Sequence, residues 1–422
     1  MTTNFPSVLD AGAVGDGSPA NAAKNRAAIQ AALDAGGLVY VPPGTYYIDD
    51  TLRLRPGVRL MGASTGVSIL RATHTGHVLQ ATDVIGLALE HLTIKGPGSG
   101  SGHGLYLHEE KRSCNYVTIR NVDFVTTGGD GIRADHLIVS AFDNVVANTC
   151  GGNGFTLLRG TSTRFGSTFA VACKGIGYDL ASMTYCSFRA TAADFGMGGY
   201  RLKGCSNIAL DGCGCESVNG TGVLIDGSYN VTLDAIANYD NRDTFIHVTG
   251  QSSRIKIVAP REVTAAESAV ASIRVDPRCR VSIESPNVRT PMELAAKSMV
   301  FPDSIHQAIK NTDTIRASTA LTDDPELSAY LQDPRSAWVV EATLVYSAPL
   351  GVDLQIAWTL PADATASGET RLIGTGHKTT ATVRGLLRLG TTTGAVGLRW
   401  AASANANTTL HRDSTLELRR VA

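Results

Sequence analysis

The chain has 422 residues, of which 43% are hydrophobic, with 44 glycines and a formal net charge of −1 at pH 7. A charge so close to zero argues against nucleic acid or an anionic membrane as the main partner, and there is no run of about 18 apolar residues to insert into a bilayer. At roughly 150 residues per domain the length predicts two or three domains, unless the chain is a solenoid, which grows in one dimension.

The opening Met-Thr-Thr-Asn-Phe-Pro has no basic and apolar leader, so no signal peptide is expected. Residues 5–48 hold a glycine-rich turn, Gly12-Ala-Val-Gly-Asp-Gly17, then Asn25-Arg-Ala-Ala-Ile-Gln-Ala-Ala-Leu-Asp-Ala-Gly-Gly37, then Leu38-Val-Tyr-Val-Pro-Pro-Gly-Thr-Tyr-Tyr-Ile48. In the middle piece Ile29 and Leu33 put an apolar stripe on a short helix and Gly36-Gly37 ends it. A helix laid over the end of a stack of strands covers both its core and its unpaired edge. The three pieces resemble the opening of the pectate-lyase-like β-helix superfamily of phage tail spikes and polysaccharide-degrading enzymes. The family's acidic cluster after Asp16-Gly17 is replaced here by Ser18-Pro-Ala-Asn-Ala-Ala-Lys-Asn25, so no role of that cluster is carried over.

Irregular apolar segments follow from Leu52 to Ile94. Residues 96–104, Gly-Pro-Gly-Ser-Gly-Ser-Gly-His-Gly, lack the Gly-Lys-Ser/Thr ending and following helix of a phosphate loop, and read as a flexible insertion. A motif then recurs: Gly131-Ile-Arg-Ala-Asp135, Gly154-Phe-Thr-Leu-Leu158, Gly177-Tyr-Asp-Leu-Ala181, Gly199-Tyr-Arg-Leu-Lys203 and Gly222-Val-Leu-Ile-Asp226, with glycines 23, 23, 22 and 23 residues apart. Counting back 27 residues reaches Gly104, and counting on 23 reaches Phe245. The alternation inside each motif is that of a strand, and a fixed period of this size marks a solenoid. A second set, Val117-Thr-Ile119, Cys186-Ser-Phe188, Ile208-Ala-Leu210, Val231-Thr-Leu233 and Ile255-Lys-Ile257, shares the period. Short strands cannot bury their apolar faces alone, but stacked coils can, which predicts a parallel β-helix, right-handed by the chirality of crossovers. Leucine-rich repeats are the rival, yet neither their Leu/Asn signature nor a helix per repeat is present. Last turns are expected at Ala271-Ser-Ile-Arg-Val275 and Arg280-Val-Ser-Ile283.

The eight cysteines lie mostly within the repeats, and Cys150 and Cys173 are 23 residues apart. A column of buried thiols is expected rather than a disulfide or a zinc site. Residues 291–312 lose the period and read as a linker. From 313 to 422 alternation returns without the repeat, as in Trp338-Val-Val-Glu-Ala-Thr-Leu and Val396-Gly-Leu-Arg-Trp400, which suggests an antiparallel β-sandwich for trimerisation or carbohydrate contact. This part resembles the C-terminal domains of phage minor tail proteins.

Outward residues one period apart become neighbours on adjacent coils. Arg189, Asp211 and Asp234 then form one column, with carboxylates about 5 Å apart, the separation a retaining glycosidase uses to hold an acid beside a nucleophile. Capping of turn amides, as Asn207 and Asn230 would also do, is the simpler alternative. A second column joins Asp194, Glu216 and Tyr239-Asp240, with Phe195 and Tyr239 as stacking faces for a sugar and Asp243 and His247 nearby in sequence. A solvated acidic edge would look the same. Elsewhere His103, His108, Glu109, Glu110, Asp130 and Asp135 contain no complete metal-ligand spacing, and no metal or other cofactor is expected there. Lyase chemistry would call for calcium and a basic residue. Arg201 and Lys203 neighbour Asp179 and Asp226, which an ordinary cross-strand ion pair also explains.

The expectation is therefore an all-β chain: cap and first coil at 1–50, a right-handed parallel β-helix at 51–290, a linker at 291–312 and a C-terminal sandwich at 313–422. The resemblance implies a phage or prophage tail spike, a homotrimer in contact with other tail or baseplate proteins. It would be assembled in the host cytoplasm, reside in the virion tail, and bind a cell-surface polysaccharide. Glycosidic hydrolysis by an acid and nucleophile among Asp194, Asp211, Glu216 and Asp234 is the first expectation, with Arg189, Phe195, Tyr239 and Asp240 holding the glycan. Lyase chemistry is the second. The alternative from another class is a receptor-binding or structural tail protein without turnover.

Overall fold

A computed structural model describes residues 7–284, 286–290, 292–294, 299–300, 305–331, 336–392 and 394–420. The chain divides into two compact units, Met1–Ser298 and Met299–Ala422.

The first unit is a parallel β-helix. Its α-helix, α1 (Ala22–Ala35), buries Ala28, Ile29 and Leu33 and ends where the Gly36 N–H bonds the Leu33 carbonyl. The stripe expected from Ile29 and Leu33 is thus the face that meets the first strands. Asn25, fully buried, accepts the Val14 N–H at 2.6 Å and donates to the Val14 carbonyl at 3.0 Å, tying the glycine-rich turn to the helix.

Each coil contributes to three parallel ladders. The first includes Leu105–His108, Ile132–Ala134, Gly198–Lys203, Val223–Asp226, Ile246–Thr249 and Ile273–Val275. The second includes Ser206–Asp211, Tyr229–Asp234 and Ser253–Val258, and the third Phe169–Val171, Ala192–Asp194, Gly214–Glu216 and Ala237–Tyr239. The repeated motif supplies the first ladder. Tyr200 pairs in register with Tyr178 and Val223, and Leu202 with Leu180 and Ile225, one period apart as the alternation requires. The two expected last turns form, as Ile273–Val275 and Arg280–Glu284.

Inside, aromatic rings stack coil upon coil. Phe155, Tyr178 and Tyr200 lie 4.8 and 4.7 Å apart, and Phe142, Phe165 and Phe188 lie 4.8 and 4.4 Å apart. The buried Tyr178 and Tyr200 hydroxyls meet Thr168 and Thr191 at 2.9 and 2.8 Å. All eight cysteines are free and buried. Cys150 and Cys173 sit as thiols in adjacent coils, each bonded to backbone carbonyls.

The chain turns between ladders on single residues in the left-handed region. One such column precedes the second ladder: Gly57, Gly86, Tyr116, Val139, Ser162, Tyr185, Asn207, Asn230 and Arg254, all with φ between 47° and 76°. Residues 96–104, expected to be a flexible insertion, are instead tied to both neighbouring coils. Gly102 donates to the Thr75 carbonyl at 3.1 Å and accepts from Gly129 at 2.8 Å. The reason is glycine: a Cβ on residue 102 would collide with the Gly76 carbonyl, so the loop lies flat where a larger residue would lift it away.

In the second unit Ile305–Ile309, Thr415–Arg420, Ala337–Ser347 and Lys378–Arg388 pair antiparallel in one sheet, and Thr322–Leu331, Gly394–Ala402, Leu354–Thr359 and Thr370–Leu372 in another. One core containing Trp338, Leu344, Ile356, Leu398 and Trp400 joins them, the expected sandwich. Of the stretch expected as a linker, part lies outside the described residues. Glu293–Leu294 pairs with Ile273–Val275, and Ile305–Ile309 belongs to the sandwich sheet. Within the sandwich, Lys310 and Asp324 form a fully buried ion pair at 3.0 Å, and Trp400 Nε1 donates to the same carboxylate at 3.1 Å.

Candidate functional site

The densest set of chemistry-bearing side chains projects from the first ladder. In Leu105–His108 the apolar Leu105 and Leu107 point inward, so Tyr106 and His108 point out. One coil on, Arg133 pairs in register with Tyr106, and Asp135 follows opposite His108. The Tyr106 hydroxyl donates to Asp135 Oδ2 at 2.6 Å, and His108 Nδ1 lies 2.9 Å from the same oxygen. Arg133 Nε lies 3.5 Å from Asp135 Oδ1. His77 and His103, from the turns leading into Leu79–Thr82 and Leu105–His108, stack at 5.0 Å and lean on Tyr106 at 4.8 and 5.7 Å.

The hydrogen bonds fix the proton positions. His77 Nδ1 accepts the His103 N–H and His103 Nδ1 accepts the Asp130 N–H, so both imidazoles are neutral with Nε2 as donor. Burial, with neighbouring cationic groups, pushes His77 down to about 4, and burial likewise lowers His103. Burial and the Asp135 carboxylate push Tyr106 up to about 12, so its hydroxyl stays protonated. Burial opposes ionisation of Asp135, but the hydrogen bonds from Tyr106 and His108 outweigh it and hold the carboxyl below its ordinary range. A carboxylate holding His108 by Nδ1 leaves Nε2 free to accept a proton, and the protonated Tyr106 beside it is a donor. Below this cluster Glu109 bridges His136 and Arg159 at 2.7 Å each. Further along the same face Arg201 grips Asp179 with two bonds, the ion pair expected there.

The residues singled out from spacing fall in two other places. Asp211 and Asp234 are register partners at the ends of second-ladder strands, with Arg189 one coil before at 3.4 Å from Asp211. These side chains are largely exposed, and Asn207 and Asn230 also meet at 2.6 Å. Asp194, Glu216 and Tyr239 are register partners on the third ladder, so the four carboxylates form two separate pairs. Burial and the neighbouring Glu216 push Asp194 up to about 6, which sets a proton-holding carboxyl beside an exposed one. Phe195, 54% exposed, stands at the corner after Asp194, Tyr239 is 42% exposed, and Asp240 occupies the equivalent corner two coils on. His247 lies on the first ladder, 3.1 Å from Asp276, apart from this group.

Three side chains of this cluster escape a reading based on carboxylate pairs: His77, Tyr106 and Arg133. The signal for the last two is in the sequence, since the same 27-residue step that aligns Gly104 with Gly131 aligns Tyr106 with Arg133. Of the metal candidates, His103 and His108 are held by separate partners. Among the described residues no group of three or more His, Cys, Asp or Glu side chains is arranged to hold a metal ion.

Residues 5–86 match the family described as rhamnogalacturonase A/epimerase, pectate lyase-like. The first coils of this parallel β-helix are thus similar to a pectate-lyase-like family. Mannuronan C5-epimerase AlgE4 of Azotobacter vinelandii is 31% identical over 193 residues, covering 33% of this chain and 34% of the relative. The chain spans only a tenth to a third of the length of the curated relatives it matches. In fold, the AlgE4 A-module superposes with a TM-score of 0.53 at 18% identity over 70% of this chain and all of the module. The Dettilon tailspike protein superposes with a TM-score of 0.53 at 11% identity over 98% of this chain and 94% of its own.

Proposed function

We propose that this β-helix acts on an acidic cell-surface polysaccharide by moving the proton on the carbon beside a uronate carboxylate. The observation that carries it is the His108–Asp135–Tyr106 arrangement with Arg133 on the exposed face of the first ladder. His108 Nε2 takes the proton, the electron pair left on carbon spreads into the carboxylate, and Arg133 balances the charge that grows there. The step then ends in one of two ways: Tyr106 gives a proton to the opposite face, inverting the carbon, or the adjacent C–O bond breaks as Tyr106 protonates the departing oxygen. A base and a protonated acid beside a fixed cation are what either ending needs. The matched curated relatives are mannuronan C5-epimerases, which supports a uronate as the substrate unit. The fold shared with the Dettilon tailspike protein supports a setting in a phage tail particle, and the proposal extends to a homotrimer with other tail proteins as partners.

Hydrolysis is the second reading, favoured by one observation: Asp194 retains a proton to about pH 6 beside Glu216, with Phe195 and Tyr239 as flanking rings. One experiment separates the two. The protein is incubated with mannuronan in deuterium oxide, following deuterium on the ring carbon, the absorbance of unsaturated uronate and new reducing ends. Deuterium incorporation that falls about 10²–10⁴-fold in His108→Gln and Tyr106→Phe variants, both still folded, is the expected result. Reducing ends without deuterium, lost in Glu216→Gln, would move the chemistry to the third ladder. Binding with none of these products would leave a receptor-binding protein. The assay is run with EDTA and with added calcium, since the lyase ending would call for calcium; a rate restored only by added calcium would add that ion to the step drawn here.

A further inference from the structure

The column of left-handed corners before the second ladder contains its own control. Gly57, Gly86, Asn207 and Asn230 occupy it with the residue types that tolerate positive φ, so the turn itself asks for nothing larger. Yet Tyr116, Val139 and Tyr185 adopt the same conformation with φ of 55°, 47° and 52°, the region that aromatic and β-branched residues avoid. Burial does not compensate: Tyr116 is 59% exposed, Val139 46% and Tyr185 66%. Packing within the fold does not offset the strain at these three corners, so any contact their exposed side chains serve lies outside it.

We infer that this edge is a binding track for a glycan chain lying along the helix axis, stacked on the rings of Tyr116 and Tyr185. The two rings are three coils apart, about 14 Å along the axis at the strand spacing of a sheet. Between them stand the Val139 side chain and the Ser162 hydroxyl, and beyond Tyr185 the Asn207 and Asn230 amides, bonded to each other at 2.6 Å. Arg254 closes the row, its guanidinium 5.2 Å from the ring of Tyr229, a third exposed aromatic next to the column. Separated flat rings interleaved with hydroxyl and amide groups suit the alternating apolar faces and hydroxyl rims of a pyranose chain. A protein partner would ask for a continuous apolar patch. The track extends the polysaccharide reading above to a surface away from the reacting cluster, and its test reads binding alone.

The test is a Tyr116→Asn/Tyr185→Asn double variant of the full chain, with asparagine chosen because the column already accepts it. Electrophoresis through gels containing mannuronan, or a neutral glucan in parallel, measures binding, and thermal unfolding measures stability. The expected result is a thermal midpoint equal to or above that of the parent and binding weakened at least about tenfold, with Tyr185→Phe close to the parent because the ring remains. A lowered midpoint would show that the tyrosines serve the fold. Undiminished binding by the double variant, or a parent retarded in neither gel, would overturn the track. His108→Gln is expected to be retarded like the parent, so loss of turnover there leaves this inference standing, and loss of the track leaves the chemistry at His108 to its own assay.

Discussion

Asp135 accepts hydrogen bonds from Tyr106 and His108 while lying near Arg133, and so sets the protonation of both neighbours. Asp135→Asn keeps the shape and removes the charge. The expected outcome is a fold-neutral variant whose rate falls about 10²-fold or more, with a shifted pH–rate profile, because the amide no longer fixes Nδ1 of His108 as the donor. A variant with the parental profile would relieve Asp135 of that role. Asp194 offers a prediction of stability instead. Its folded pKa, raised by burial and Glu216 to about 6 from an ordinary 3.8, means that the folded chain keeps a proton the unfolded chain gives up. The stability it contributes is complete below about pH 4 and is lost as pH rises through about 6. Asp194→Asn is therefore expected to raise the thermal midpoint relative to the parent more at pH 7 than at pH 4; an equal difference at both would contradict it. Residue-level chemistry was only partly legible in the sequence. Spacing placed Asp211 beside Asp234 and Asp194 beside Glu216, but which pair is shielded from water depends on the burial of each corner, which no spacing states. His77 reaches the cluster from an irregular coil, where the period gives no register.

At the scale of the element, the coil is held by rings in register. Phe165 is fully buried, with Phe142 and Phe188 stacked on its two faces and Phe155 and Tyr178 edge-on. Phe165→Ala is expected to cost about 3–5 kcal/mol, because coils on both sides hold the cavity open. Thr168→Val, nearly the same volume, is expected to cost about 1–3 kcal/mol by leaving the Tyr178 hydroxyl buried without its partner. Denaturant titration checks both, and a Thr168→Val change within error of zero would mean that the hydroxyl finds another acceptor. The strands themselves were legible because alternation and period act together: Phe155, Tyr178 and Tyr200 recur in phase and can only share one side. The ties of residues 96–104 to both neighbouring coils were not legible, since nothing local in a glycine-serine run announces which backbone it will lie against.

For the whole molecule, two units with separate cores predict two unfolding transitions. Lys310→Met removes the cation paired with the fully buried Asp324 and leaves it the Trp400 Nε1 hydrogen bond. It is expected to destabilise the sandwich by about 3–5 kcal/mol and leave the β-helix transition in place, as calorimetry would show. A single transition shifted as a whole would mean that the units unfold together. The sandwich was legible as a change of pattern after the repeats, while its pairing order, which joins Ile305–Ile309 to Thr415–Arg420, is set by contacts distant in sequence. The eight buried thiols give the helical unit one more property. They run from Cys114 to Cys279, and all are buried, so each is shielded from an alkylating reagent until its own coil opens; burial also pushes those of Cys186 and Cys205 up to about 11. Modification rates under native conditions therefore become a ruler of local opening along the axis. A stack whose coils touch only their neighbours should return a graded series of values, whereas one rate shared by all eight would mean that it opens in a single event.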